Sequence, residues 1–511
     1  MTRNTDVDVV VVGAGPTGLM LAGELRLAGV RAVVLERSPR LRETAKANGI
    51  AGQILELLRY RGLLDRVKAA STDPSPPARF PFGGLDLDFT HLADPPLYAV
   101  QIPQARLEGV LDERARELGA DVRRGHEVLG VSQDDDTVTA DVRGPDGSYQ
   151  VTARYLVGCD GPRSRVRELA GIPFPGTTYP EVNRLGQVTV PDSITRLDNG
   201  DLEVSGVGTI RAGFTRTDGG VFGWGTLTAD VMMVYTSEDE TTEYDDDTPM
   251  TLAELEGSIR RVLGVDLPLG EPRRLSRFTF HARQAERYRE GRILVAGDAA
   301  HLFPATGVAL NAGMLDTVNL AWKLAVGVNG LAPDGLLDTY HAERHFAGAR
   351  TLLHTRAQVA LRRGLDPAAD ALREVFQELL VDEQPLRRLA ARVAASDIRY
   401  PLPGADRHAL IGTFAPDLTL HTDQGTTSVA ELMHAGRPVL LDLADRQDLR
   451  ETARDWQQRV HIVTAKTDDR PADALLIRPD ALVAWAATND EPAGTAQPAL
   501  HDALTTWFSW E

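Results

Sequence analysis

The chain of 511 residues contains one cysteine, so no internal disulfide, CxxC zinc site or thiol relay can be built from it. It also lacks basic excess. Lys and Arg number 55 against 73 Asp and Glu, a net charge of −18, and lysine occurs only at 46, 68, 323 and 466. A general nucleic-acid binder needs a concentrated basic surface, so that class is excluded. No stretch approaches the roughly 18 consecutive apolar residues of a membrane span. Asp6 and Asp8 interrupt the start and the following valines run straight into glycines, unlike a signal peptide. No lipid-anchoring motif stands at either end. A cytoplasmic protein is expected. The remainder is ordinary: 42% hydrophobic and 25% charged residues supply large cores, and the length suits about three domains at roughly 150 residues each.

Residues 7–12, VDVVVV, read as a strand buried on both faces. GAGPTG follows, with Gly13, Gly15 and Gly18 in G-x-G-x-x-G spacing around Pro16 and Thr17, then a helical stretch that Gly29 stops. A second strand, RAVVLE, ends at Glu36. In such a unit the first glycine makes the tight turn, the second admits a pyrophosphate to the backbone, and the third lets helix and strand pack closely. The helix N-terminus offers unpaired N–H groups and a positive dipole end to the phosphates. Glu36 suits ribose hydroxyls and would repel a 2′-phosphate, which leaves FAD or NAD rather than NADP as the resident dinucleotide.

Two later segments repeat the pattern of a buried strand ending in small or acidic residues. RYLVGCDG ends at Asp160 and Gly161, and GRILVAGDAAH carries Gly297 and Asp298. Pro304, Gly307 and Asn311 follow, then a long amphipathic helix. Helix capping is an alternative role for both aspartates, compatible with ligand binding.

GAGPTG, VGCDG and VAGDAAH in this order resemble the flavoprotein aromatic hydroxylases (class A flavin monooxygenases), in particular their polyketide-tailoring branch. The segments IPQARLE, FTFHARQAERYREGR and DTYHAERH extend the resemblance over most of the chain. It implies FAD as cofactor, with Gly13, Gly15, Pro16, Thr17, Gly18 and Glu36 holding the ADP half and Arg37 against the adenine end. Lys46 stands where relatives commonly carry a flavin-contacting arginine. Gln104 would contact the flavin nucleotide. Asp160 and Gly161 would serve both FAD and the nicotinamide donor, and Asp298, beside Gly297, the ribityl chain. Pro304 and the backbone of Gly307, Val308, Ala309, Leu310 and Asn311 would lie beside the isoalloxazine ring. Only one dinucleotide fingerprint is present, so NADPH would dock transiently as reductant. Catalytic residues stay unassigned, and no catalytic triad or metal cluster need appear, because the cofactor would carry the chemistry: hydroxylation of a polyketide or similar bulky metabolite through a flavin C4a-hydroperoxide.

The resemblance and the hydrophobic pattern together imply an α/β fold in three parts. A Rossmann-like FAD-binding domain is expected over 1–72, 96–175 and 276–396, helical from 334. A β-rich substrate domain is expected over 73–95 and 176–275, where period-2 alternation marks an antiparallel sheet. Phe214, Phe222, Trp224, Met232, Met233 and Tyr235 are its candidate pocket residues; ordinary sheet-to-helix core is the alternative. EDETTEYDDD (238–247) reads as a solvated acidic loop without metal-ligand spacing. Residues 408–511 resemble the thioredoxin-like domain found on many of these hydroxylases. This copy has no cysteine, which excludes disulfide chemistry and leaves packing or oligomerisation.

The chain departs from its relatives at two places. Val308-Ala309 replaces a Gln-Gly pair, and Lys46 is not an arginine, whose planar guanidinium an ammonium does not reproduce. These departures keep a second function open: a flavin-bound cyclase folding a polyene for [4+2] cycloaddition by pocket-enforced proximity, without redox turnover. Baeyer–Villiger oxygen insertion is a variant of the first function. The partner is in every case a bulky apolar small molecule, with no nucleic acid, membrane or metal, and a homo-oligomer is compatible.

Overall fold

The structure is a computed structural model that describes residues 5–41, 47–71, 79–197, 201–211, 213–226, 230–240, 244, 248–305, 307–330, 332–364 and 366–508. Val9–Val12 is a strand with all four valines buried, as its β-branched run requires. Gly15 then ends the turn and Pro16 occupies the first helical position of Pro16–Leu27, where its missing N–H costs nothing. The helix leads to the parallel strand Ala32–Glu36. One sheet places its strands in the order Arg289–Glu290, Ile293–Val295, Tyr155–Gly158, Val9–Val12, Ala32–Glu36, Asp121–Arg124, parallel except at the first. The chain order reverses between Val9–Val12 and Tyr155–Gly158. Crossovers therefore leave these two strands in opposite directions and open a crevice at their carboxyl ends.

A second, antiparallel sheet runs Gly213–Thr217, Gly220–Thr226, Val231–Asp239, Gly176–Thr189, Pro272–Gln284, His301–Leu302. Its last strand comes two residues after the 3-10 turn Gly297–Ala299, which itself follows Ile293–Val295 of the first sheet. The chain thus crosses from one sheet to the other through Gly297 and Asp298. The helix Leu252–Leu263, N-capped by Thr251 and ended by Gly264 at φ 74°, covers the outer face of the second sheet.

The helical expectation from 334 matches the helices Asp338–Arg363, Pro367–Val381 and Glu383–Ala394. Beyond them, a mixed four-stranded sheet in the order His461–Thr464, Val439–Asp442, Ala474–Ile477, Val483–Ala487 packs with the helix Ala493–Phe508 around a second core, which Tyr60, Trp322, Val326, Leu336 and Ala347 of the preceding part also enter. Among the described residues no helix is long and apolar enough to cross a membrane.

The acidic-loop expectation at 238–247 needs correction where it is described. Glu238 ends up buried, and Glu238 and Glu240 both pair with the buried Arg184, which also pairs with Glu254 and donates to the Tyr244 hydroxyl. A strand that alternates its faces delivers Glu238, with Met232, Val234 and Thr236, to the face under Leu252–Leu263, where the Arg184 guanidinium and the Ser258 hydroxyl meet it.

Candidate active site

The first turn is built by two steric demands. Gly13 has φ 102°, and a Cβ there would stand 2.5 Å from the Cys159 carbonyl oxygen; a Cβ on Gly18 would stand 1.9 Å from the Gly13 oxygen. Neither position admits another residue without displacing backbone. Gly15 differs, because no protein atom lies within 4 Å of where its Cβ would be. Its backbone faces open space at a helix N-terminus that no side chain caps. That is what an anion approaching the N–H groups requires. Thr17 fits between Gly297 and Gly313, each of whose added Cβ atoms would come within 2.8 Å of its hydroxyl. The absence of two side chains thus locks the first helix onto the Gly297–Ala299 turn.

Glu36 accepts from the Ala14 N–H (2.7 Å) and the Ser38 N–H (2.8 Å), and half-buried it keeps lone pairs for a further donor. Arg37 beside it is exposed. Gln104 opens the helix Gln104–Glu117 and donates to Glu108 (2.8 Å). Lys46 lies outside the described residues. Ser164 caps Arg165–Leu169, accepting from the Arg167 N–H (3.0 Å), and Asp160 supports that cap, accepting from the Ser164 hydroxyl (2.5 Å) and the Val166 N–H (3.1 Å). Gly161 follows at φ 87° with open space around it. Cys159 is buried, and burial pushes its thiol well above the ordinary range, so it is a packing residue.

Asp298 sits half-buried in the Gly297–Ala299 turn, and Pro304 is buried. Gly307 is exposed at φ 84°, with the Phe80 ring 3.6 Å from where its Cβ would be. Val308 is buried with Ala282, Phe303 and Leu352, and Ala309 packs beside them. Its departure from Gln therefore lands in an apolar cluster. Leu310 packs on the main core. Asn311 donates to the Gly307 carbonyl (2.9 Å) and accepts from the Ala51 N–H (3.3 Å), tying the loop to the helix Ala309–Val328.

Sequence reasoning missed the group beneath this turn. One oxygen of the buried Asp316 carboxylate takes the Gly297 N–H (2.9 Å) and meets His301 Nε2 (2.8 Å); the other takes Arg344 Nε (2.7 Å). Burial alone would raise the Asp316 carboxyl, but His301 and Arg344 outweigh it and hold it below the usual range. The signal was present: Asp316, Asn319 and Lys323, at i, i+3 and i+7, put a polar stripe on a helix that is otherwise buried and apolar.

The expected substrate residues divide between two faces of the antiparallel sheet. Cross-strand partners Phe214, Gly223, Tyr235 and Leu185 share one face, and Met233 joins them at the next step along its strand. The Phe214 and Tyr235 rings meet edge-on at 6.0 Å. The Tyr235 hydroxyl donates to Asn183, and burial pushes its pKa up to about 12. Phe222, Trp224 and Met232 point the other way, into the core under Leu252–Leu263, with Phe222 and Met232 fully buried. For these three the core reading holds, since adjacent residues of a strand cannot line the same pocket wall.

Three strand ends, two open-faced glycines and an uncapped helix N-terminus thus converge in one crevice, and the chain runs on from it through Gly297–Ala299 into the antiparallel sheet that carries the apolar face. That arrangement fits an extended dinucleotide next to a bulky apolar molecule. A family model described as an FAD binding domain matches residues 6–355, and one described as aromatic-ring hydroxylase, C-terminal, matches 408–510. The chain is 42% identical over 513 residues to a 12-dehydrotetracycline 5-monooxygenase/anhydrotetracycline 6-monooxygenase of Streptomyces rimosus, covering 98% of both chains. It is 39% identical over 513 residues to a dialkyldecalin synthase of Streptomyces rugosporus, again covering 98% of both. A solved anhydrotetracycline hydroxylase from Streptomyces rimosus matches with a TM-score of 0.86 at 41% identity, over 98% of this chain and 99% of that one.

Proposed function

The chain belongs to the family defined by this FAD binding domain, and from that premise we propose that it is an FAD-dependent monooxygenase, reduced by NADPH, that hydroxylates a polyketide or similarly bulky secondary metabolite. The observation that carries this reading is the open backbone at Gly15, at an uncapped helix N-terminus where the strand order reverses. Bound in the crevice, the flavin would supply hydride acceptance from NADPH and activation of O2.

The residues have these roles in the proposal. Gly13 makes the turn, Pro16 presets the first helical position, the N–H groups at Gly15, Thr17 and Gly18 cradle the pyrophosphate, Glu36 takes the ribose and Arg37 flanks the adenine. Gln104 and Lys46 approach the nucleotide from the neighbouring segments. Asp160 and Gly161 shape the cleft for FAD and the nicotinamide donor. Asp298 holds the ribityl chain, and Pro304 with Gly307 to Asn311 borders the isoalloxazine ring, where the N-terminal end of Ala309–Val328 favours negative charge. The hydroxyl of Tyr235 orients substrate against Phe214 and Met233, and the walls exclude water.

The domain division follows the same reading: a Rossmann-like FAD domain (1–72, 96–175, 276–396), an inserted β-rich substrate domain (73–95, 176–275) and a thioredoxin-like domain without cysteine (408–511). The parallel sheet, the antiparallel sheet and the C-terminal four-stranded sheet support it. A cytoplasmic protein follows from the same reading.

The relative at 39% identity that is a synthase favours one second reading, a flavin-bound cyclase acting on a polyene. Anaerobic mixing with NADPH decides. Bleaching of the flavin band, accelerated by a polycyclic aromatic substrate, supports the monooxygenase. A flavin that stays oxidised while a linear polyene is consumed without O2 refutes it.

A further inference from the structure

We propose that the C-terminal domain positions the Gly297–Ala299 turn, and through it the flavin, by way of the consecutive residues Glu343 and Arg344. The proposal rests on the flavin reading above. Both residues are buried in the helix Asp338–Arg363, and neighbouring positions on a helix leave it in different directions. Arg344 turns towards the nucleotide turn and Glu343 towards the C-terminal domain.

Two hydrogen-bonded routes result. In the first, the Gly297 N–H donates to Asp316, Arg344 Nε donates to the other Asp316 oxygen, and Arg344 Nη1 reaches the Tyr400 hydroxyl at 2.6 Å. Tyr400 lies in the connecting segment. Its N–H donates to the Gly412 carbonyl (2.8 Å), and the Gly412 N–H donates to Val483 (2.9 Å) in the strand Val483–Ala487. A Cβ on Gly412 would stand 2.2 Å from the Tyr400 oxygen, so this joint has no play.

In the second route Arg478 grips Glu343 with both terminal nitrogens (2.8 and 2.7 Å) and donates to Asp480 through Nε (3.0 Å). Asn319, one turn beyond Asp316, donates to Glu343 (2.6 Å) and Asp480 (3.0 Å), and Lys323 donates to Glu343 (3.1 Å). The Trp322 and Trp507 rings, edge-on to each other, both lie near the Arg478 guanidinium, at 5.2 and 4.6 Å. A small pocket lined by Asn319, Arg344, Tyr400 and Asp480 separates the two routes.

The chemistry argues for more than adhesion. Apolar residues close a domain interface at less cost than four desolvated charges, whereas a fully satisfied ionic cluster admits one register. That register is what Tyr400 and Arg344 hand on to Asp316. Glu343, Arg344, Asp316 and Tyr400 are positioning residues, since each acts through another.

Two variants test the proposal. Tyr400→Phe deletes the hydroxyl that Arg344 Nη1 reaches and keeps the ring. Arg478→Met removes the guanidinium while retaining most of the side chain's length. FAD titration of the apoprotein by flavin fluorescence, with visible circular dichroism of the bound flavin, reads the effect. Weakening of FAD binding by about fivefold in Tyr400→Phe and about tenfold or more in Arg478→Met, with an altered flavin dichroism, is expected. A merely structural role would lower the melting temperature and leave both flavin readouts unchanged, and that result overturns the proposal. If Arg478→Met does not fold, Tyr400→Phe alone decides. A wild-type protein that takes up no FAD would instead refute the flavin reading on which this rests.

Discussion

Alanine at Gly15 and alanine at Gly18 test different claims about the same turn. At Gly18 the added Cβ would sit 1.9 Å from the Gly13 oxygen, and ordinary contact begins at 3.4 Å. The helix would have to withdraw by about 1.5 Å, an overpacking that costs on the order of 1–3 kcal/mol and acts with or without ligand. At Gly15 the backbone is at φ −76° and the added Cβ meets nothing. Alanine is a poorer helix N-cap than glycine by about 0.5–1 kcal/mol, and it removes a similar entropy from the unfolded chain, so the apoprotein should be nearly unaffected. The methyl group then occupies the space assigned to the pyrophosphate. Losing its charge-assisted N–H contacts, at roughly 1.5–3 kcal/mol, weakens FAD binding about ten- to hundredfold. Thermal melting of the two apoproteins, followed by FAD titration, separates the effects. Gly18→Ala should melt earlier, and Gly15→Ala should melt like wild type yet bind FAD poorly. A Gly15→Ala protein that binds FAD normally refutes the placement of the pyrophosphate, and a Gly18→Ala protein that melts normally refutes the packing argument.

The division of the antiparallel sheet predicts that Phe222→Ala costs about 3–5 kcal/mol of stability, whereas Phe214→Ala, 54% exposed, costs little stability and instead raises KM for the substrate. Denaturation curves and steady-state kinetics check both. Burial pulls the pKa of His354 down to about 4 from an unfolded value near 6.5. Between those values the unfolded chain binds the extra proton, so stability falls as pH drops from 6.5 to 4. His354→Gln should flatten that part of the melting-temperature profile, and an unchanged slope would count against it. Cys159 should resist aromatic disulfide reagents in the native protein and react once after denaturation; rapid native labelling would contradict its burial.

Much of the site was legible because its constraints are local. Gly13 and Gly18 are glycines because a Cβ would strike backbone one turn away or on the adjacent strand, and a fixed spacing reports such clashes. Asp160 was open to two compatible roles, and its bonds to Ser164 and Val166 show it bracing the Ser164 cap. The pocket wall was only half legible. Phe222, Trp224, Met233 and Tyr235 are all apolar or aromatic, and the inward parity of each strand was invisible until pairing set it. Glu238 was misread for the same reason, since an acidic run looks solvated until Arg184 appears beneath it.

The sequence by itself determined the strand–glycine–helix unit, the two later strand ends, the helical stretch after 334 and the family, because short-range sterics and hydrophobic periodicity encode them. Only the tertiary structure decided that Asp316, His301 and Arg344 meet under Gly297, and that Glu343 meets Arg478, 135 positions away. A buried charge is stable only beside its partner, and which partner arrives depends on how whole domains pack, which no local pattern records.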